Sequence, residues 1–173
     1  MQKILETERL ILRKLTLNDA PFMLELLNTP TWLQFIGDRN VHTIADAKNY
    51  LLNGSLKSYQ EHGFGFYAVI EKAETLDKSG QTIGICGLIK RDTLPDIDIG
   101  FAFLPNLLSK GFGFEAASAI LDYARNVLNI KRIIAIVNPD NEKSIGLIKK
   151  IGMKFEKMII FGEEEKELML FAK

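Results

Sequence analysis

The sequence holds a single cysteine, two histidines and no long apolar run, and each scarcity removes a class of function. With only Cys86, an internal disulfide and a thiolate zinc cluster are both excluded. Its neighbours Ile83, Ile85 and Leu88 mark that thiol as a small buried hydrophobe rather than a nucleophile. His42 and His62 have no metal-ligand spacing to each other or to Cys86, so each reads as a surface or loop residue and no metal is expected. No stretch approaches the roughly 18 apolar residues that span a bilayer, and residues 1–10 are too polar for a signal-peptide core, so the expected location is the cytoplasm, with no membrane partner. An excess of either charge is lacking too: Lys plus Arg and Asp plus Glu both number 22. There is no net field to draw in a nucleic acid, although a local basic patch stays open. The GxSxG elbow of serine hydrolases and the lysine-containing phosphate loop are absent as well.

What is present is the composition of one folded domain. Hydrophobic residues make up 47% and charged residues 25% of 173 positions, which places the chain away from disordered sequences and predicts one core over residues 1–173. Leu10, Leu12 and Leu15 alternate with charged neighbours over residues 7–15, a first strand. Asn18 can cap a helix with Asp19 and Pro21 in its first turn, carried by Phe22, Leu26 and Leu27 and stopped at Asn28 and Pro30; residues 32–37 then read as a loop. Thr43 and Asp46 resemble a capping box for a second helix that runs through Tyr50, Leu51 and Tyr59 to His62, weakened by Gly54. Residues 64–71 and 81–91 read as strands around a polar connection at 72–80, and 96–104 as a third. A four-turn helix is predicted from Glu115, a buried strand over 131–137, a turn at 138–141 and a short helix over 144–151. Two last strands, 155–161 and 168–172, flank a charged turn at 162–167. This order predicts an α/β, or α+β, mixed sheet with helices on both faces, in which the strands before and after the long helix are neighbours.

Between the third strand of the run and the long helix lies Leu104-Pro105-Asn106-Leu107-Leu108-Ser109-Lys110-Gly111-Phe112-Gly113-Phe114-Glu115. Glycines at 111 and 113 let the backbone approach a ligand, and the free N–H groups of a helix's first turn favour an anion, with phosphate the natural guest and Lys110 a mobile charge at the rim. On this pattern alone a tight turn and a phosphate site both stand. A dinucleotide site, for which Gly111, Gly113 and Ala116 have the spacing, is disfavoured by the late position, the intervening loop and the lack of an acid at the end of the next strand, where Asn138 stands.

Five segments in order resemble the GNAT N-acetyltransferases, in particular the branch of ribosomal-protein N-terminal acetyltransferases (RimJ/RimL-like). They are Thr7-Glu8-Arg9-Leu10 with Leu12-Arg13; Ile83-Gly84 with Cys86-Gly87-Leu88; Asp98-Ile99-Gly100-Phe101; Ser109-Lys110-Gly111-Phe112-Gly113 with Glu115-Ala116; and Asn141, Ser144, Lys150, Gly152 and Phe155. The resemblance covers almost the whole chain. It implies an acyl-coenzyme A N-acyltransferase fold whose mostly antiparallel sheet splays between the family's fourth and fifth strands. It also implies acetyl-coenzyme A as cosubstrate and a monomer or homodimer. The sequence departs from the family in three ways. Leu108 stands where many members carry Gln or Arg, Met153 replaces a Phe, and the last helix lacks the Tyr that in many members protonates the leaving thiolate.

The resemblance further implies that residues 108–114 (Leu108, Ser109, Lys110, Gly111, Phe112, Gly113 and Phe114) hold the pyrophosphate, and that the backbone of Phe101 and Phe103 pairs with the pantetheine arm, as in strand addition. Asn138 and Asn141 bond the pantetheine amides or simply build the turn. Asp98 is the candidate base acting through water, with Asp96 an alternative and plain solvation of a strand end a third reading. Ser144 is the candidate acid for the thiolate or, alternatively, a helix cap. Trp32 and Phe35, with a hairpin at 63–66, are placed at the acceptor or in a core plug. The acceptor expected is a primary amine, a protein or peptide α-amino group, because removing its proton at pH 7 costs roughly 1.4 kcal/mol against over 4 for lysine. A small-molecule amine and a non-catalytic acyl-coenzyme A sensor are the alternatives.

Overall fold

Eight strands lie side by side in the computed structural model, which describes residues 2–72, 80–162 and 165–173. In chain order they are β1 (Lys3–Glu6), β2 (Leu10–Lys14), β3 (Phe66–Glu71), β4 (Gln81–Ile89), β5 (Ile97–Phe103), β6 (Ile133–Val137), β7 (Lys154–Phe161) and β8 (Lys166–Ala172). The helices are α1 (Ala20–Leu27), α2 (Pro30–Phe35), α3 (Ile44–Leu51), α4 (Lys57–His62), α5 (Phe112–Asn126) and α6 (Glu142–Lys150). Sheet order is β1-β2-β3-β4-β5-β6-β8-β7. Every neighbouring pair is antiparallel except β5 and β6, which are joined by α5 and are parallel, as a helical crossover requires.

The β5–β6 pairing is short. Only Ile97↔Ile133 and Asp98↔Ile134 are in register, after which the two strands part. β5 continues to Phe103 bonded to β4 alone, and β6 continues to Val137 bonded to β8 alone. The sheet therefore contains an internal V, with unpaired backbone along both arms. Register puts Tyr67, Cys86 and Phe101 on one face, where α5 packs: Tyr123 meets Tyr67 edge-on at 6.4 Å between ring centroids. Ala116, Ala117, Ile120, Leu121 and Ala124 form the buried stripe of α5, and its three alanines let the helix axis come close to the sheet. The opposite face carries Phe66, Gly100 and Asp98 and is bordered by α2 and α3 through Trp32 and Tyr50. No helix among the described residues is long and apolar enough to cross a membrane.

Four expectations are corrected. The segment 7–9 is not strand but a turn, closed by Thr7 N–H donating to the Leu10 carbonyl at 2.9 Å, and an additional strand, β1, precedes it. As a partly exposed edge strand of four residues, β1 lacks the apolar alternation that betrays a strand in sequence. Residues 32–35 are helical, because Pro30 opens α2 at its first position behind the extended Thr29 instead of only stopping α1. The segment 63–66 is not a hairpin: Gly63, at φ 78°, ends α4 in the left-handed conformation and the chain enters β3. Finally, α5 starts three residues before Glu115, at Phe112. Between α3 and α4 the chain stays helical through a widened π segment, Leu52–Leu56, centred on Gly54. Of the two expected connections, residues 73–79 and 163–164 lie outside the described residues.

Candidate active site

A cleft of about 950 Å³ runs through the V, lined at one end by Ile136, Val137, Asn138, Asn141 and Ser144 and at the other by Trp32, Phe35, Tyr50, Phe66 and Arg91. Asp98, Gly100 and Phe101 of β5 form its floor. Of the residues singled out in the sequence, Asp98, Phe101, Asn138, Asn141, Ser144, Trp32 and Phe35 are thus brought onto one surface. Asp96 is not. It lies outside the cleft in an exposed ion pair with Arg132, at 2.9 Å.

Asp98 is 2% exposed and its Oδ2 accepts from Arg91 Nε at 2.8 Å, while Oδ1 has no hydrogen-bond partner. Burial pushes its carboxyl up to about 6; the Arg91 guanidinium opposes the shift, and the nearby Ile136 backbone N–H opposes it less. The result is a carboxylate that is mostly ionised at neutral pH yet basic enough to take a proton. Arg91 is itself held over the Phe161 ring, 5.5 Å from its centroid. Tyr50 stands in the same region; burial raises its phenol, against the field of Arg39 and Arg91. The Phe66 ring crosses Gly100 so closely that a Cβ there would lie 2.8 Å from it.

On the other arm of the V, Asn141 caps α6 by accepting from Ser144 N–H at 3.1 Å. Capping thus falls to Asn141, and the Ser144 hydroxyl has no hydrogen bond within the protein, among the described residues. Asn138 builds the preceding turn by accepting from Asp140 N–H at 2.9 Å. Cys86 is fully buried, and burial raises its thiol beyond use as a nucleophile.

The glycine loop sits beside this end of the cleft rather than in its wall. Gly113, in the first turn of α5, would place a Cβ 3.0 Å from Leu147, one turn after Ser144 on α6, and 3.5 Å from Phe103. A side chain at 113 would therefore press on Leu147 of α6 and touch Phe103 of β5. Phe103 is buried, and so is Phe112, whose ring lies beneath the Arg9 guanidinium, so Phe112 offers a ligand only its backbone N–H. Ser109 and Gly111 both have positive φ, 66° and 84°. The first helical hydrogen bond runs from Glu115 N–H to the Gly111 carbonyl at 3.1 Å, which leaves the N–H groups of Phe112, Gly113 and Phe114 outside the helical ladder. Lys110 is exposed, Leu108 half-buried, and Phe114 exposed beneath Lys150 Nζ at 4.8 Å from its ring.

A brace behind the loop was not legible as such in sequence. Glu115 accepts from Thr7 Oγ1 at 2.5 Å, from Arg9 N–H at 2.9 Å and from Arg9 Nε at 2.7 Å, and Arg9 also donates to the Lys110 carbonyl at 3.0 Å. Burial would raise Glu115, but these donors outweigh it and hold the carboxyl below its ordinary value. The Thr7-Glu8-Arg9-Leu10 segment therefore anchors the loop and α5 to the β1–β2 turn. Arg91, Tyr50 and Arg39 were also missed; the one available signal was a basic residue two places past the apolar run of β4, on the face of Ile89 and its register partner Asp98.

Comparison with known proteins agrees with this geometry. The family model described as "Acetyltransferase (GNAT) domain" matches residues 9–154. The chain is 32% identical over 156 residues to the uncharacterized N-acetyltransferase YoaA of Bacillus subtilis, covering 90% of this chain and 85% of YoaA. It is 31% identical over 162 residues to the uncharacterized N-acetyltransferase YnaD of the same organism, covering 91% of this chain and 89% of YnaD. Among solved structures, an acetyltransferase from Agrobacterium tumefaciens superposes with a TM-score of 0.81 at 22% identity, covering 100% of this chain and 94% of that one. A splayed mixed sheet, a glycine loop at a helix start and a buried carboxylate on the cleft floor thus meet a family match over most of the sequence: the chain belongs to the GNAT acetyltransferases.

Proposed function

We propose that this acetyltransferase, acting as a single domain in the cytoplasm, takes its acetyl group from acetyl-coenzyme A and passes it to a primary amine, a protein or peptide α-amino group, by direct attack in a ternary complex. The observation that carries the reading is the cleft itself, which passes through the V between β5 and β6 with Asp98 on its floor and Ser144 on its wall. The residues present fit the cosubstrate. Unpaired backbone on β5 beyond Asp98 suits the amides of an extended pantetheine arm, and the N–H groups of Phe112, Gly113 and Phe114, with the left-handed Ser109 and Gly111 before them, suit its pyrophosphate. Leu108 adds no polar group there, and Lys110 supplies the charge.

Acetyl-coenzyme A supplies, when bound, an acyl thioester activated toward amines. Asp98 accepts the amine proton through water as the new C–N bond forms. Ser144 donates its hydroxyl proton to the sulfur as the C–S bond breaks and regains one from solvent. The side-chain N–H donors of Asn138 and Asn141 remain available along the arm, because those side chains use only their oxygens, in the turn and in the cap.

Proteins of this fold act on different amines. They include a ribosomal-protein-S5-alanine acetyltransferase from Vibrio fischeri, TM-score 0.78 at 21% identity, and a spermidine N-acetyltransferase from Vibrio cholerae solved with CoA and spermine, TM-score 0.75 at 19%. What favours an α-amine here is the modest base: with an Asp98 value of about 6, a proton is more readily taken from an amine near 8 than from one near 10.4. The test compares kcat/KM for a peptide with a free N-terminus and a matched N-blocked peptide carrying one lysine. Preference for the blocked lysine peptide at neutral pH overturns the α-amine reading, and coenzyme binding without thiol release from any amine points to a sensor.

A further inference from the structure

Two residues of the cleft lining each carry a polar atom that is buried without a hydrogen-bond partner, and the two atoms are of opposite kinds. Trp32, 5% exposed, has an unpaired indole N–H, a donor; Asp98 has the unpaired Oδ1, an acceptor. A buried donor left unsatisfied is costly, so a ligand that supplies an acceptor near Trp32 and an amine near Asp98 completes both. Charge on this part of the cleft follows the same pattern. Three of its four acidic residues are already engaged: Asp46 with Thr43 and the His42 N–H, Glu61 with Lys57, and Asp98 with Arg91; Asp92 remains. Arg39 enters no ion pair among the described residues and stands where its charge acts on the Tyr50 phenol.

We propose that the acceptor carries a carboxylate close to its reacting amine, held by Arg39 and the Tyr50 hydroxyl with the Trp32 indole N–H donating to a neighbouring oxygen, while the amine faces Asp98. This rests on the reading of the cleft as the transfer site. A guanidinium and a phenol together select a carboxylate, because the first supplies charge and paired donors and the second one further donor. The same end of the cleft offers a polyamine one unengaged carboxylate, against the several that a polycation would need. The carboxylate has two possible sources, the α-carboxylate of a free amino acid or an acidic side chain following a peptide N-terminus.

The experiment follows coenzyme A thiol release by the purified chain with acetyl-coenzyme A. Acceptors are alanine against alaninamide, the tripeptide amide Ser-Asp-Gly against Ser-Asn-Gly, and spermidine. The carboxylate member of at least one pair is expected to have a kcat/KM higher by about tenfold, and that ratio to fall to about one in Arg39→Ala and to drop in Trp32→Phe, with coenzyme affinity confirming that both variants are folded. Which pair responds identifies the source. Equal rates within both pairs, preference for spermidine, a ratio that survives Arg39→Ala, or no turnover of any acceptor by protein that binds acetyl-coenzyme A would each overturn the proposal. If only the amino-acid pair is used, the peptide reading fails while this one stands; if peptides are used without regard to charge, this one fails alone.

Discussion

Replacing Asp98 by Asn should make the enzyme slower and should raise its stability relative to wild type as pH increases from 4 to 7. In the folded protein burial holds the carboxyl near 6, whereas in the unfolded chain it titrates near 3.9. Between those values the folded state binds the extra proton, so folding stability falls as pH rises through the interval and stays lower above it. About two pH units at 1.36 kcal/mol each gives a loss of about 3 kcal/mol on going from pH 4 to pH 7, carried by this one group. Asn cannot ionise, so it is spared that loss. The stability difference, variant minus wild type, should therefore grow by about 3 kcal/mol across the interval, which for a chain of this length corresponds to roughly 6–12 °C in Tm. The other carboxylates titrate in both proteins and cancel. Thermal melts of both at half-unit steps from pH 4 to pH 7.5 measure it. On the kinetic side, kcat/KM for a peptide amine should fall with unit slope below the amine's own pKa and steepen below about pH 6, and Asp98→Asn should lose about 10²- to 10⁴-fold and the steeper segment with it. A Tm difference that does not change with pH, or no break in the rate profile above pH 5, would refute the reasoning.

Ser144→Ala is expected to lower kcat by about ten- to a thousandfold while the dissociation constant of acetyl-coenzyme A, read by calorimetry, stays within a few fold. Equal turnover with chemistry rate-limiting would leave the hydroxyl without a role, since Asn141 already caps α6. Arg9→Ala removes the brace behind the glycine loop and should raise the KM for acetyl-coenzyme A several-fold more than it changes kcat; an effect confined to kcat would contradict a positioning role. Asp19→Ala leaves Arg13 without its paired carboxylate, now at 2.6 and 2.8 Å and almost buried, and should cost about 3 kcal/mol, seen as a Tm drop of roughly 6–12 °C. Gly113→Val should reduce stability as well as coenzyme affinity, because its Cβ meets Leu147; lost affinity at unchanged Tm would contradict that packing argument.

Much of the architecture follows from local pattern. The apolar steps of three and four from Ala116 to Val127 specify α5, the β-branched run at 133–137 specifies β6, and the Thr43–Asp46 pair caps α3 as expected, with Thr43 Oγ1 accepting from Asp46 N–H at 3.1 Å. These are signals between residues a few places apart, and the glycine loop is another: Gly111 takes φ 84° because only glycine adopts it at little cost. Motifs in order also sufficed to indicate the family.

Tertiary structure alone decided what those residues meet. Asp96, just before β5, and Asp98, on it, are two places apart, yet one is partly exposed beside Arg132 and the other buried beside Arg91, because β5 pairs with β6 at Asp98 and the cleft opens there. Nothing local to Ser144 shows that Asn141 takes over the capping, and nothing local to Thr7 or Arg9 shows that a carboxylate more than a hundred residues away grips them. The divergence of β5 from β6 has no local signature: β6 is an ordinary apolar run, and Asp98 and Gly100 in β5 do not mark where the pairing stops. It is a long-range feature: α5 packs on β4 and β5 and α6 on β6, and the burial that raises Asp98 exists only once these distant segments are assembled.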